Sequence, residues 1–383
     1  MNRRERLIAT LRGEPVDRPA VSFYELNGLD EDPDWDDPFN IYTHPSWKPL
    51  IKLTREKTDR IVMRSVPFKE INPDPLDECT TVETWMDHHG SLFTRRVTSA
   101  GGRKLTSLTR RDRDVNTIWT VEHLLKSVED LKAFLKIPLP DSVGEPDTSG
   151  VLQAEQALGD SGIVMIDTSD PLCEAAQLFH LADYTVIAFT EPLLFHRLLD
   201  FFAARLYPKT EAIARALPGR LWRIYGPEYA SPPYLPPRLF KEFVVDYDTY
   251  MVDVIQRGGG YARLHSHGRL RQILDMIAST GCTGLDPIEP PPQGDVELSY
   301  VRERYGEQFV LFGNLEASDI ENLPTSQFRQ KVLKALHEGT RGKGRGFVLM
   351  PSACPYGRVL SPLALSNYES MIQVIDSLSS PTA

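Results

Sequence analysis

From about residue 160 onward, short apolar runs alternate with stretches of helical period, and no other feature restricts the fold as much. Residues 162–167, 220–225, 261–265, 284–289, 308–313 and 346–350 are rich in Val, Ile, Leu and Phe and are bounded by Gly or Pro, so they read as strands. Residues 237–256, 269–279, 326–339 and 362–378 carry the helical pattern between and after them. Upstream, residues 3–12 form a short amphipathic helix stopped by Gly13, Pro15 and Pro19, and residues 47–58 are helical. Residues 19–25 and 60–66 supply two more strands. Eight strands mostly followed by helices imply a parallel sheet, and that number fits an α/β fold of the (β/α)8 TIM-barrel type. A doubly wound open sheet is the alternative, weakened because no strand is followed by GxGxxG.

Residues 67–118 break the rhythm. Two alternating runs, 92–98 and 105–109, flank Gly101-Gly102, which predicts a β-hairpin inserted in a single domain spanning 1–383. This segment is basic (Arg95, Arg96, Arg103, Lys104, Arg110, Arg111, Arg113) in a chain of net charge -10. It reads as a charge-protected edge hairpin or as a docking surface for an acidic partner. The overall acidity argues against nonspecific nucleic-acid binding. Four cysteines without a CxxC pair, and a charged start without a long apolar run, predict a cytoplasmic protein with no membrane span.

In a barrel all C-terminal strand ends surround one mouth. His265 and His267 stand at i and i+2 after the fifth strand, so both project to one side, as a divalent metal requires of two ligands. Neutral imidazole suits zinc, and a catalytic zinc takes three protein ligands. Candidates for the third are Cys354, after the last strand, Glu228, in a turn after the fourth, and Glu289. Three prolines after Glu289 stiffen its loop. Asp295 reads as the N-cap of the following helix. Glu25 and Asp167 end the first and third strands, and Asp286 lies on the sixth. Tyr24, Tyr229, Asn314 and Arg269 are placed to bind substrate, Arg269 through a carboxylate. Each has a plainer reading: Glu228 as a loop cap, Cys354 as a half-buried thiol, Arg269 as a partner of Glu228 or Glu289.

The opening stretches at residues 2–7 and 13–19, the His265-Ser266-His267-Gly268 turn, Gly313-Asn314 and the strand from Gly346 to Cys354 together resemble the uroporphyrinogen decarboxylase superfamily. The resemblance covers most of the chain. It implies a (β/α)8 barrel, often dimeric among the decarboxylases. The superfamily contains the heme-pathway decarboxylase and zinc-dependent, corrinoid-linked methyltransferases. The decarboxylases carry an arginine-bearing stretch after the first strand to grip porphyrinogen carboxylates, whereas this chain has Phe23-Tyr24-Glu25 there, against porphyrinogen as substrate. The methyltransferases bind zinc through His-x-Cys and a later Cys. Here His265 matches, His267 replaces the first Cys, and Cys354 lies near the second, so that Glu228 is a further candidate ligand.

The resemblance therefore implies a zinc-dependent methyltransferase or demethylase of a small thiol, oxygen or methylated substrate, with the metal held by His265, His267, Cys354 or Glu228. Glu228, Glu25, Asp167 and Glu289 are the expected catalytic groups. The methyl group would pass to or from a corrinoid protein partner. A metal-free decarboxylase, with Asp167 or Glu25 stabilising a cation and His265 moving a proton, is the second reading. A non-catalytic small-molecule-binding barrel is the third.

Overall fold

The computed structural model describes residues 1–69 and 73–379. Residues 70–72, inside the expected insertion, and 380–383 lie outside the described residues. The barrel strands are β1 (Ala20–Val21), β2 (Arg60–Arg64), β3 (Gly162–Ser169), β4 (Leu221–Tyr225), β5 (Tyr261–His265), β6 (Gly284–Asp286), β7 (Val310–Leu315) and β8 (Phe347–Pro351). They form one eight-stranded sheet in the order β1-β8-β7-β6-β5-β4-β3-β2. All its ladders are parallel, with helices between strands, which makes it a TIM-barrel-like α/β fold.

β1 and β2 share no ladder, and Asp59 closes the seam between them. Its backbone N–H donates to the Val21 carbonyl at 2.7 Å, and its carboxylate accepts from the Val21 N–H at 2.9 Å. The same fully buried carboxylate pairs with Arg6 at 2.5 Å and Arg18 at 2.7 Å. Arg6 comes from the helix Arg3–Arg12, started by an Asn2/Glu5 capping box and stopped by left-handed Gly13. The expected first strand is correspondingly short. After Ser22, whose N–H still reaches Leu349, the chain turns at Phe23–Leu26 and puts Tyr24 in the left-handed region at φ 57°.

Period-two alternation sorts the strand residues into two cores. Val164, Ile166, Trp222, Ile224, Ala262 and Leu264 face the helices. Ala20, Ile61, Met165, Leu221, Val310, Phe312 and Val348 face the barrel axis, closed from below by Leu7 and Leu11 of the first helix. Higher on the axis the inward residues turn polar: Asp167, Arg223, Arg263, His265 and Asp286. An apolar plug thus sits under a charged mouth.

The predicted hairpin is the centre of a larger device. Strands Leu92–Ala100 and Arg103–Arg111 pair across Gly101-Gly102, both at positive φ (55° and 81°), as a two-residue turn requires. Thr80–Met86 and Ile118–Glu122 add a strand on each side, giving a four-stranded antiparallel sheet. It is tied to the loop after β8: Asn116 donates to Tyr356 and Arg358 to Asp114, each backbone bond 2.7 Å.

Candidate active site at the barrel mouth

The two histidines stand where the i, i+2 spacing puts them. Their rings meet edge to face, centroids 4.7 Å apart. Each Nδ1 is held by a carboxylate from β6 or the loop after it: His265 lies 2.7 Å from Asp286 Oδ2, His267 2.7 Å from Glu289 Oε1. Glu289 is fixed further by the Gly268 N–H at 2.7 Å. Burial would raise the Asp286 carboxyl, but the facing charges of Arg263 and His265 hold it below its ordinary value. Burial opposes Glu289 likewise, and its bond to His267 wins and lowers it. Ionised carboxylates only accept, so each imidazole carries its proton on Nδ1 and leaves Nε2 free in the neutral form. Burial would lower His267, but the Glu289 hydrogen bond and charge, with Glu228 and Asp286 behind, raise it.

A second cluster faces the first. Arg223 on β4 grips Asp167 on β3 with two bonds of 2.6 and 3.0 Å, and donates to the Tyr24 hydroxyl. The Tyr24 ring lies nearly parallel to His265, centroids 6.0 Å apart, and so joins the clusters. Arg263 Nε stands 2.9 Å from Asp286 Oδ1, an ion pair without an aligned hydrogen bond.

The expected zinc set is not assembled. Glu228 folds back to accept from the Gly226 N–H at 3.0 Å, the loop-cap role. The Cys354 Sγ donates to Glu25 at 3.2 Å, and burial with the Glu25 charge pushes its thiol well above the ordinary value. Among the described residues no three His, Cys, Asp or Glu side chains converge closely enough to hold a metal. His265 and His267 alone have the form of metal ligands, with carboxylates behind Nδ1, so the four residues do not fit zinc as a set.

Of the other expected residues, Asn314 is buried in β7 and makes no side-chain hydrogen bond among the described residues. Tyr229 is half-buried, its carbonyl accepting from Tyr184, and burial pushes its hydroxyl up to about 12. Arg269 is exposed and pairs with neither Glu228 nor Glu289. Asp295 does not cap a helix. It accepts from the Arg271 N–H, and the next helix begins at Leu298 after Glu297.

Arg223, Arg263 and Glu316 at the mouth escaped the expected set. Glu316, just past β7, is 7% exposed and, among the described residues, takes one bond of 3.3 Å from Ser352 and leaves Oε1 unpartnered. Burial, with the Glu289 charge, pushes it up to about 7. Its position after a strand was visible in sequence; its burial was not.

The profile of the uroporphyrinogen decarboxylase (URO-D) family matches residues 154–376, more than half of the chain. The chain belongs to this family. No curated protein matches it in sequence. Among solved structures, a methyltransferase from Methanosarcina mazei aligns at TM-score 0.61 and 17% identity, covering 99% of this chain and 100% of that one. At that identity the likeness establishes the fold. A D-psicose 3-epimerase aligns only at TM-score 0.34 and 7% identity, over 61% of this chain and 94% of that one. No described helix is long and apolar enough to cross a membrane.

Proposed function

We propose that this family member is a methyltransferase or demethylase whose chemistry runs on the paired imidazoles of the mouth. The observation that carries the reading is the double carboxylate–imidazole arrangement, Asp286–His265 and Glu289–His267. Both rings keep Nε2 free of protein partners among the described residues, so both can exchange a proton with a substrate thiol or hydroxyl. As the substrate sulfur or oxygen forms its bond to the methyl carbon, its proton passes to Nε2. The carbon–carrier bond breaks with its electron pair left on the carrier. The carboxylate behind each ring stabilises the imidazolium so formed. Demethylation is the reverse.

The full-length likeness to a methyltransferase supports methyl over carboxyl chemistry. So does Asp167: clamped by Arg223, it has no charge to spare for a cationic intermediate, which weighs against the decarboxylase reading. The proposed carrier is a corrinoid on a separate protein, a reading that rests on the family resemblance. Zinc would have only His265 and His267 to hold it here, and no step above depends on it.

Methylcobalamin with a small thiol tests this, read by loss of the methyl–cobalt absorbance. Wild-type protein should turn over, and His265→Ala with His267→Ala should lose roughly a hundredfold or more. A wild type without turnover, or a double variant that matches it, would sink the proposal. Metal content before and after the double substitution reports on the zinc.

A further inference from the structure

The inserted sheet turns one face toward the barrel, and beside the buried Leu105 and Ala100 that face is hydroxylated or charged. An antiparallel sheet with one face packed on a body ordinarily puts its hydrophobic residues there. Strand register places Thr80, Thr98, Arg96, Ser107, Thr109 and Thr120 on this side. They form one wall of a cavity of about 340 Å³, within the size range of small-molecule sites. The opposite wall is apolar: Leu124, Phe134, Leu178 and Phe202.

Part of the polar lining is already bonded, Thr80 to Leu76 and Thr98 and His123 to Gln177, and part is not. The side chains of Ser107, Thr109 and Thr120 make no hydrogen bond among the described residues. Arg96 has no ion-pair partner among them, although its neighbours Arg95 and Arg103 pair with Glu83 and Asp130. Asp77, on the same lining, is also without a cationic partner among the described residues. Glu174, the other acid of the lining, is already bonded to Ser169 and Gln177. Among the described residues, an exposed guanidinium and an exposed carboxylate without ion-pair partners, three free hydroxyls and an apolar wall line one space.

We propose that this cavity, between the inserted sheet and the helices after β3, binds a small apolar zwitterion of the hydrophobic amino-acid class. Arg96 and the hydroxyls take the carboxylate, Asp77 takes the ammonium, and the side chain lies on Phe134 and Phe202. A plain anion would meet Asp77 and Glu174, and a plain cation would meet Arg96. One lining side chain also touches a barrel strand. Glu174 accepts from the Ser169 hydroxyl at 2.5 Å, at the end of the strand whose Asp167 holds Arg223. Binding here is independent of the methyl chemistry proposed above.

Titration calorimetry on the full chain with L-phenylalanine, 3-phenylpropionate and 2-phenylethylamine tests it. L-Phenylalanine should bind more tightly than either single-charge analogue. Arg96→Gln should weaken it about tenfold or more, while Arg95→Gln, on the other face of the sheet, should leave it unchanged. No L-phenylalanine binding at millimolar concentration, equal binding of all three probes, or binding indifferent to Arg96→Gln would each overturn the proposal.

Discussion

His267 and Glu289 form a pair in which each partner secures the charge of the other. His267 is raised and Glu289 lowered. The histidine's share of stability is therefore complete below its ordinary value near 6.5 and fades as pH rises through the raised one. The carboxylate's share is present above the ordinary carboxylate range and fades as pH falls through the lowered one. For catalysis the neutral imidazole is the base, so the acidic limb of the rate profile should lie above the ordinary histidine value. Glu289→Gln should move that limb to lower pH, visible in a pH–rate profile and in NMR titration of the ring. An unmoved limb would show that Glu289 does not govern this imidazole. Glu316 behaves oppositely. With its carboxyl raised to about 7, ionisation costs the folded state, and that loss accrues between roughly pH 4.5 and 7. Glu316→Gln should therefore stabilise the protein at pH 8 by on the order of 2 kcal/mol and do little at pH 4.5, by thermal melting at both. At this scale the sequence was half legible. Spacing alone aims two strand-end imidazoles to one side, and the structure pairs them. It does not tell which acid turns outward to meet a ring, as Glu289 does, and which folds onto its own backbone, as Glu228 does.

Strands and helices were the most readable level, because each strand carries its own punctuation of Gly, Pro and alternating apolar residues. The misplacements have local causes. β1 is short because Tyr24 turns left-handed two residues after Ser22, and Asp295 spends its carboxylate on the Arg271 N–H instead of a helix start. The outer strands of the inserted sheet were missed because Thr80–Met86 and Ile118–Glu122 are largely exposed and lack a buried face to imprint a pattern. The seam between β1 and β2 was not visible either, since it depends on one buried carboxylate meeting two arginines distant in sequence. Asp59→Ala strips Arg6 and Arg18 of their partner and Val21 of its acceptor. It should cost about 3–5 kcal/mol, measured by denaturant unfolding, whereas Asp253→Ala, which breaks an exposed pair with Arg257, should cost well under about 1 kcal/mol. Gly226→Ala should be similarly severe, because at φ 131° a Cβ would stand 2.0 Å from Asp170 Oδ1.

Across the whole molecule, the inserted sheet is the part whose surface is least settled by its own chain. Its outer strand Ile118–Glu122 shows Ile118, Trp119 and Val121 to solvent, at 64%, 46% and 54% exposure. It has no strand beyond it among the described residues. Such an edge invites pairing with another chain, which is how we read the expected dimer. Val121→Lys should lower the self-associated fraction at high concentration without shifting the melting temperature, by light scattering and calorimetry. An unchanged association would remove this edge from the interface. The backbone bonds joining Asn116 to Tyr356 and Arg358 to Asp114 have a mechanical meaning of their own. They graft the sheet onto the rim segment that carries Cys354, so a load on one is felt by the other.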